Sequence, residues 1–306
     1  MSRSSVRTVA RRPEPSMRSF ALPRRRSRWL TGCSRGCHLL TIRPSRSLLA
    51  VLAAVLLLPA CGSDARQAYS PAPPPAHAAP HWDYDAEGPD HWADLDRDYL
   101  TCKSGHQQSP VDLPGHARLE LSEHITIDYH SVPAVTLLNN GHTVQANLPA
   151  GNGNRVVVDG VPFELAQFHF HLPSEHTVDG VGTTMEAHFV HKSAAGEVAV
   201  LAVLLQAAPE PSAFAPILSV APQAVDAATV APGPIDLRSM LPGVADQYRY
   251  QGSLTTPPCS EGVSWTVLGS PVAVAAAEAD RYRTLFAHSN RPTQPLNGRT
   301  VTLAGG

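Results

Sequence analysis

Two short histidine-bearing segments contain the residues whose types and spacing could do chemistry. His169 and His171 are two residues apart, and Glu186 and His188 repeat that spacing a short way downstream. In an extended strand the side chains at positions i and i+2 share one face, so the two members of each pair point in the same direction. We therefore predict two neighbouring strands that bring three imidazoles to one point.

Three histidines that leave a fourth position open to water are typical of a catalytic zinc, whereas structural zinc sites usually have four protein ligands and are rich in cysteine. No cysteine lies near these histidines in the sequence. A metal-bound histidine usually donates its second ring N–H to a polar acceptor. Gln167 and Glu186 each precede a histidine by two residues and are the predicted acceptors. The pattern favours a zinc ion held by His169, His171 and His188 over ordinary histidines on amphipathic strands.

Further short motifs occupy the C-terminal three quarters of the chain. In chain order they are residues 81–84 (HWDY), 88–92 (GPDHW), 108–111 (QSPV), 139–142 (NNGH), 174–177 (SEHT) and 253–259 (SLTTPPC). With the two histidine segments, their order resembles that of the α-class carbonic anhydrases, and in particular of exported bacterial members. The resemblance implies a mainly β fold: a large central twisted, mostly antiparallel sheet, a few short peripheral helices, and an active-site cone with zinc on the central strands.

The resemblance also implies an activity, the reversible hydration of carbon dioxide to bicarbonate and a proton. In carbonic anhydrases zinc lowers the pKa of its bound water to about 7, so that hydroxide can attack an electrophilic carbon at neutral pH. Thr255 would accept a hydrogen bond from this zinc hydroxide while donating to Glu175. His142 would be the proton shuttle, since the ordinary pKa of histidine lies near neutrality. Thr256 and the N–H of Thr255 would meet bicarbonate or an inhibitory anion, and sulfonamides are expected inhibitors.

The same resemblance assigns residues around the substrate. An apolar wall for carbon dioxide would be formed by Val190, Val200, Leu254, Val263 and Trp265. Each of these also fits an ordinary core position, and that alternative stays open. A water network would include Tyr84, Asn140 and Gln145, the last at a position where many family members have asparagine.

Two other function classes compete with this interpretation. A non-catalytic binding module of the same fold would usually have a damaged histidine triad, but here all three histidines are present together with Glu175, Thr255 and His142. A zinc protease would more typically have His-Glu-x-x-His on a helix, and this sequence lacks that motif. The catalytic interpretation is therefore favoured over both.

The charge of the chain is divided unevenly. Residues 1–60 contain 12 arginines and one acidic residue, Glu14, a net charge of +11, whereas the remainder has 12 basic and 25 acidic residues, a net charge of −13. The acidic remainder argues against nucleic-acid binding.

Residues 47–58 form an apolar run that is too short for a transmembrane helix but typical of a signal peptide. We predict that residues 1–60 are an export signal and that the protein is periplasmic or anchored in the cell envelope.

The end of this leader resembles a bacterial lipoprotein cleavage box, which would leave a lipidated Cys61 as a membrane tether. Pro59 is unusual in such a box, so cleavage without lipidation stays open. The leader is long, and both a twin-arginine signal and a start codon placed too far upstream are compatible with it. Residues 61–79, rich in proline and alanine, are predicted to be a linker, and residues 80–306 the catalytic domain.

Two cysteines remain in the predicted domain, because the other three lie in the leader or at its boundary. In an oxidising compartment, a disulfide between Cys102 and Cys259 is favoured over two free thiols, and the resemblance supports this pairing. The sequence leaves open whether the domain is a monomer or a homodimer.

Short β-rich runs separated by turn residues predict a mainly β domain. Strands are predicted at residues 125–129, 134–138, 155–158 and 198–205, beside those that contain the histidines. The clearest helix is predicted at residues 275–287, and a shorter one is predicted to begin within residues 211–215.

Overall fold

A computed structural model of the chain describes residues 79–115, 125–209, 211–243 and 246–304. They all fall within one compact unit, Pro73–Gly306. The predicted export signal, Cys61 and the predicted linker up to residue 78 lie outside the described residues. Among the residues described, none of the helices has the length and apolar character that crossing a membrane requires.

The described residues form fifteen strands and a small number of short helices. The strands are β1 Asp112–Leu113, β2 Thr126–Asp128, β3 Ser131–Val132, β4 Thr136–Asn139, β5 Val144–Asn147, β6 Arg155–Val158, β7 Val161–His171, β8 Thr177–Val178, β9 Met185–Ser193, β10 Val198–Ala208, β11 Ala228–Val230, β12 Ile235–Asp236, β13 Gln247–Ser253, β14 Glu261–Ala275 and β15 Thr302–Ala304. The α-helices are α1 Trp92–Leu95, α2 Thr101–Ser104, α3 Ala215–Leu218 and α4 Ala276–Leu285, and single 3₁₀ turns lie at Arg97–Tyr99 and Arg238–Met240.

One large mixed sheet dominates the fold. Its eleven strands include the path β11-β4-β5-β7-β9-β10-β14-β13-β15, and β6 pairs with both β2 and β7. Within this sheet β10 and β14 run parallel, while the other ladders are antiparallel. The predicted fold class, a large and mostly antiparallel sheet with a few short helices, is confirmed.

The alternation of side chains along β7 and β9 separates an apolar face from a polar one. Phe168 and Phe170 of β7 and Ala187 and Phe189 of β9 lie in the larger hydrophobic core. The pairing of β7 with β9 shifts register between Leu165 and Gln167, and the regular alternation that includes Phe168 and Phe170 follows this shift. The residues between the phenylalanines therefore face the opposite side of the sheet, as the sequence predicted.

Most predicted element positions are confirmed, with small differences at the ends. The strand predicted at 155–158 has those bounds, the one at 198–205 extends to Ala208, and the helix predicted at 275–287 spans Ala276–Leu285. The shorter helix, predicted to begin within 211–215, begins at Ala215, the last residue of that range. Ser212 accepts from the N–H groups of Phe214 and Ala215 in a turn that delays the helix. The helices α1 and α2 were not predicted, because four residues are too few to show a helical period.

A disulfide joins the segment around α2 to the loop that follows β13. Cys102 and Cys259 are bonded, with an S–S distance of 2.07 Å and a Cα–Cα distance of 5.0 Å, which confirms the predicted pairing. Both cysteines are buried in a small apolar cluster with Trp92 and Tyr99. The bond therefore fixes an N-terminal segment to a loop 157 residues away in sequence.

Candidate metal centre

Three imidazoles converge on the polar face of the two central strands. The antiparallel register of β7 and β9 puts His169 directly opposite His188, and His171 follows two residues along β7. One ring nitrogen from each of the three lies within 4.8 Å of the others. Strand pairing therefore brings together the three histidines that were predicted from the sequence to bind a metal.

Each of these imidazoles uses its other ring nitrogen in a hydrogen bond directed away from the cluster. His169 Nδ1 lies 2.9 Å from Gln167 Oε1, and His188 Nε2 lies 2.9 Å from Glu186 Oε1. The structure thus places both predicted acceptors beside their histidines. The third acceptor is a backbone carbonyl, that of Ser289, 2.6 Å from His171 Nδ1.

These acceptors decide which nitrogens are left for a ligand. A carbonyl or carboxylate oxygen can only accept, so the nitrogen that faces it must bear the proton, and the other nitrogen keeps its lone pair. The lone pairs are then on Nε2 of His169 and His171 and on Nδ1 of His188. Nε2 of His171 is buried and has no hydrogen-bond partner among the described residues. Three neutral nitrogen donors of this kind fit a zinc ion.

The electrostatic surroundings keep the three imidazoles neutral. Burial lowers the pKa of His171 to about 4. Burial, followed by the neighbouring histidines, holds the pKa of His169 well below its ordinary value, and burial and His171 lower that of His188. Neutral imidazole is the form that binds a metal, so this cluster is ready to coordinate at neutral pH.

A buried carboxylate lies beside the cluster. Glu175 is 1% exposed, and its Oε1 accepts from the backbone N–H of Arg291 at 2.8 Å, while its Oε2 lies 3.8 Å from His188 Nδ1. Burial raises the pKa of Glu175 to about 7, although His188, the Arg291 N–H and the Thr255 side chain act in the opposite direction. Thr255 is itself buried. The structure therefore brings Glu175 beside His188, with the Thr255 side chain close enough to Glu175 to lower its pKa.

Glu186 links the cluster to the core behind it. Its Oε1 accepts from His176 Nδ1 at 2.6 Å as well as from His188, and its Oε2 accepts from the N–H groups of Glu175 and His176 at 2.8 Å each. Burial acts to raise the pKa of Glu186, but the interactions with His176 and His188 prevail and hold it well below the usual range. A charged Glu186 therefore orients the His188 ring through one oxygen and holds the backbone of Glu175 and His176 through the other. The second nitrogen of His176 lies 2.7 Å from the Tyr250 hydroxyl, which continues the network into β13.

The predicted apolar wall forms one continuous cluster, distinct from the larger core. Val200, Val263 and Trp265 are buried in it, and Val190 and Leu254 pack against it while partly exposed. The Trp265 ring lies 4.9 Å from that of His188, edge to face. An apolar surface therefore borders the imidazole cluster.

The predicted shuttle histidine lies on a turn at a more exposed place. Asn140 Oδ1 accepts from the N–H groups of His142 and Thr143, at 3.0 and 2.9 Å, and so shapes the turn between β4 and β5. The ring of His142 stacks on Trp82, with centroids 3.6 Å apart and planes 4° from parallel. Burial and the nearby His81 lower the pKa of His142, while Asp83 raises it.

The other predicted water-network residues lie in different settings. Gln145, on β5, donates to Asn147 at 2.6 Å and pairs in register with His169. Tyr84 packs edge to face against Trp82 and Trp92, and burial and then the charge of Glu175 raise its pKa.

Thr256, the residue predicted to meet bicarbonate, follows Thr255 in the loop that the disulfide closes. Its carbonyl accepts a hydrogen bond from the N–H of Cys259.

Comparison with known proteins identifies the family. The model of the family described as eukaryotic-type carbonic anhydrase matches residues 87–305. The chain belongs to the carbonic anhydrase family.

Relatives and solved structures agree with this membership. A carbonic anhydrase of Klebsiella pneumoniae is 42% identical over 226 residues, 73% of this chain and 91% of that protein. One of Neisseria gonorrhoeae is 40% identical over 252 residues, 82% of this chain and 95% of that protein. The α-carbonic anhydrase of Thermovibrio ammonificans, solved with the inhibitor sulfanilamide, is 41% identical with a TM-score of 0.69, and covers 72% of this chain and 98% of its own. Family membership supports carbon dioxide hydration as the activity and identifies the chain as an enzyme.

Three residues of this carbonic anhydrase site were not selected from the sequence. Ser289 contributes a backbone carbonyl to His171 across 118 residues, and a backbone acceptor has no side-chain signature. Arg291 contributes a backbone N–H to Glu175 and was likewise not visible. Trp82 lies in the motif at residues 81–84, but its stacking on His142 depends on a contact that only the fold reveals.

Proposed function

We propose that the protein hydrates carbon dioxide reversibly to bicarbonate and a proton at a zinc ion held by His169, His171 and His188. The observation that carries the proposal is the donor set: three ring nitrogens within 4.8 Å, each with its opposite nitrogen committed to an acceptor. A zinc ion held there would act as a Lewis acid and would make a bound water acidic enough to lose a proton near neutral pH, as in other carbonic anhydrases and in zinc proteases.

Thr255 and Glu175 orient the reacting group. A threonine hydroxyl that donates its proton to Glu175 has only lone pairs to present to the open position. Thr255 would then accept a hydrogen bond there and hold a lone pair of the nucleophile toward carbon dioxide. Glu175 can serve as the acceptor because the N–H of Arg291 occupies its Oε1 and leaves Oε2 free among the described residues.

The apolar cluster supplies a surface that attracts carbon dioxide and excludes water. Val190 and Leu254 are the partly exposed members and would contact the substrate, while Val200, Val263 and Trp265 support them from within the core. Thr256 and the N–H of Thr255 are the groups we assign to bicarbonate and to inhibitory anions, and sulfonamides should compete at the same place.

His142 removes the proton that each turnover releases. Its ring is half buried and stacks on Trp82, so one face is held and the ring edge remains available for proton exchange. The pKa of His142 lies below the ordinary histidine value, which favours release of the proton to buffer at neutral pH. Tyr84, Asn140 and Gln145 would order the water through which the proton reaches it.

The proposal extends to the organisation of the chain. Residues 1–60 would direct export, residues 61–79 would act as a linker, and residues 80–306 would form the catalytic domain in the periplasm or on the cell envelope, with or without a lipid on Cys61. The disulfide supports this, because disulfides persist in oxidising compartments and are rare in the cytosol.

The test is stopped-flow hydration of carbon dioxide by the purified protein, with zinc quantified in the same sample and a sulfonamide as control. We expect fast hydration that a sulfonamide abolishes, with about one zinc per chain. A folded protein with a full complement of zinc and no hydration would contradict the proposal and favour the binding-module alternative.

A further inference from the structure

The irregular segment 289–291, which we call the strap, supplies two of the contacts that fix the metal centre. The Ser289 carbonyl accepts from His171 Nδ1 at 2.6 Å, and the Arg291 N–H donates to Glu175 Oε1 at 2.8 Å. One short piece of backbone therefore orients both a candidate zinc ligand and the carboxylate that acts on Thr255. No strand or helix of the described chain includes the strap, so no ladder of backbone hydrogen bonds fixes its position.

The first end of the strap is attached locally. Ser289 donates its N–H to the Leu172 carbonyl at 2.7 Å and accepts from the Leu172 N–H through its Oγ at 3.1 Å. Both bonds join it to the residue that follows His171. They hold Ser289 near β7 but place no restraint on the other end of the strap, where the contact with Glu175 is made.

The second end is attached by a buried guanidinium. Arg291 is 1% exposed, and its Nη1 donates to Gln108 Oε1 at 2.9 Å and to the Ser109 carbonyl at 2.8 Å, while its Nη2 donates to the Cys102 carbonyl at 2.7 Å. The guanidinium also lies over the Trp92 ring, 5.7 Å from its centroid. A planar fork with several donors fits such a set of acceptors, and an ammonium group cannot reproduce that geometry.

The segment that Arg291 grips is itself anchored. Cys102 is bonded to Cys259, and Gln108 donates to the Cys259 carbonyl at 3.1 Å. Cys259 closes the loop that contains Thr255. The guanidinium thus connects the strap to the segment around Cys102 and Gln108, which is also bonded to the Thr255 loop. The strap and the Thr255 loop are therefore both attached to this one segment.

We propose that Arg291 is a positioning residue for the carbonic anhydrase reaction, one whose side chain holds the strap so that Ser289 and the Arg291 N–H orient His171 and Glu175. This inference rests on the proposed zinc site. Partners in the outer layer of a metal site typically contribute about 10- to 100-fold to metal affinity or activity, so the effect should be measurable although Arg291 touches neither metal nor substrate.

The test compares Arg291→Met and Arg291→Lys with Arg299→Met as the matched control. Arg299 grips the same N-terminal segment, through the Gln108 carbonyl at 2.8 Å, and lies over an aromatic ring, but it does not attach to the strap. Four quantities are measured for each protein: stability to urea, the rate of zinc release to a chelator, kcat and KM for hydration, and the visible spectrum of the cobalt-substituted protein as pH is varied.

We expect Arg291→Met to release zinc faster and to lose kcat/KM by about 10- to 100-fold, mainly in kcat, with an altered cobalt spectrum. Arg291→Lys keeps the charge without the fork and should give a smaller change in the same direction. Arg299→Met should lose stability without these changes. If Arg291→Met does not fold, Arg291→Lys decides the question alone.

Two results would overturn the inference. One is a wild-type rate of zinc release and a wild-type cobalt spectrum in a folded Arg291 variant. The other is an equal loss of activity in Arg291 and Arg299 variants of equal stability, which would mean that only stability is at work. If the wild-type protein binds zinc but does not hydrate carbon dioxide, the proposed function fails, and zinc release and the cobalt spectrum still test the strap.

Discussion

Two groups of histidines contrast in the described chain: one is buried on or beside the central strands, and the other lies at the rim. In the buried set, His171, His176, His188 and His191 are at most 1% exposed, and the hydrogen-bond partners fix the direction of each ring. In the rim set, His81 and His288 are exposed and His142 is half buried. The same side chain is thus used in two ways: burial lowers the pKa of His171, His188 and His191 and so keeps these rings neutral, whereas His142 keeps its ring edge open for proton exchange.

The largest expected effect is the replacement of a buried histidine that binds the metal. His188→Ala removes one of the three nitrogens and leaves the buried Glu186 without one of its two imidazole partners. We expect loss of zinc and of hydration activity, measured as zinc per chain after dialysis and by stopped-flow hydration. Circular dichroism serves as the control for folding. Retention of zinc by a folded His188→Ala protein would break the distinction between the two sets.

The next largest effect is expected at the rim. His142→Ala should keep zinc and slow turnover about a hundredfold in dilute buffer, the lower part of the range for general acid–base catalysis. Concentrated imidazole buffer should restore most of the rate, since it can accept the proton directly. His288→Ala is the matched control, because that histidine is also exposed at the rim but contacts Asp85 and the Tyr84 carbonyl. Equal zinc loss in His142→Ala and His188→Ala would contradict this division of roles.

Whether a contact of the site could be predicted depends on how far apart its two residues lie in the sequence. His169, His171 and their partner Gln167 lie on one strand, and Glu186 and His188 on the next, so strand alternation alone predicts their faces. The register that puts His169 opposite His188 was expected from a hairpin or neighbouring strands, and β7 and β9 are neighbours. The alternation of side chains along two strands was therefore enough to predict most residues of the metal centre.

The remaining contacts depend on chain segments that are far apart in sequence. Ser289 and Arg291 act through backbone atoms, for which no residue type is diagnostic, and they lie on irregular backbone without a period. The stacking of His142 on Trp82 joins a turn to the start of the described chain. The two remaining cysteines predicted the disulfide, with support from the family resemblance, and the resemblance predicted the apolar cluster. Neither indicated that Arg291 connects the disulfide-bonded segment to the strap.

The third prediction concerns stability and uses a buried histidine that is outside the metal triad. His191 accepts from the Tyr129 hydroxyl at Nε2 and donates to the Ala199 carbonyl from Nδ1, and burial lowers its pKa to about 4. In the unfolded chain its pKa is about 6.5. Between these values only the unfolded state binds the proton, so the free energy of unfolding decreases as the pH falls from about 6.5 to about 4.

His191→Gln should remove this dependence, since an amide can offer the same donor and acceptor but does not titrate there. From pH 7 to pH 5 we expect the decrease in the free energy of unfolding to be about 2 kcal/mol smaller in the variant than in the wild type. Urea unfolding of both zinc-loaded proteins at the two pH values measures it. Parallel pH dependence in the two proteins would mean that His191 is not kept neutral by burial.

The smallest expected effect lies in the neighbours of the rim histidine. The charge on His81 lowers the pKa of His142 and the charge on Asp83 raises it, and both neighbours are at least partly exposed, so solvent and salt weaken their influence. His81→Ala should therefore raise the pKa of His142, and Asp83→Asn should lower it. NMR titration of the His142 ring gives both shifts, and each should shrink as salt is added. Because the shuttle must release its proton to buffer, the pH at which kcat is half maximal in dilute buffer should follow the same two directions. Shifts of the same sign in both variants would indicate that the stacking on Trp82, rather than charge, sets the pKa of His142, and the rim would then resemble the buried set more closely than we infer.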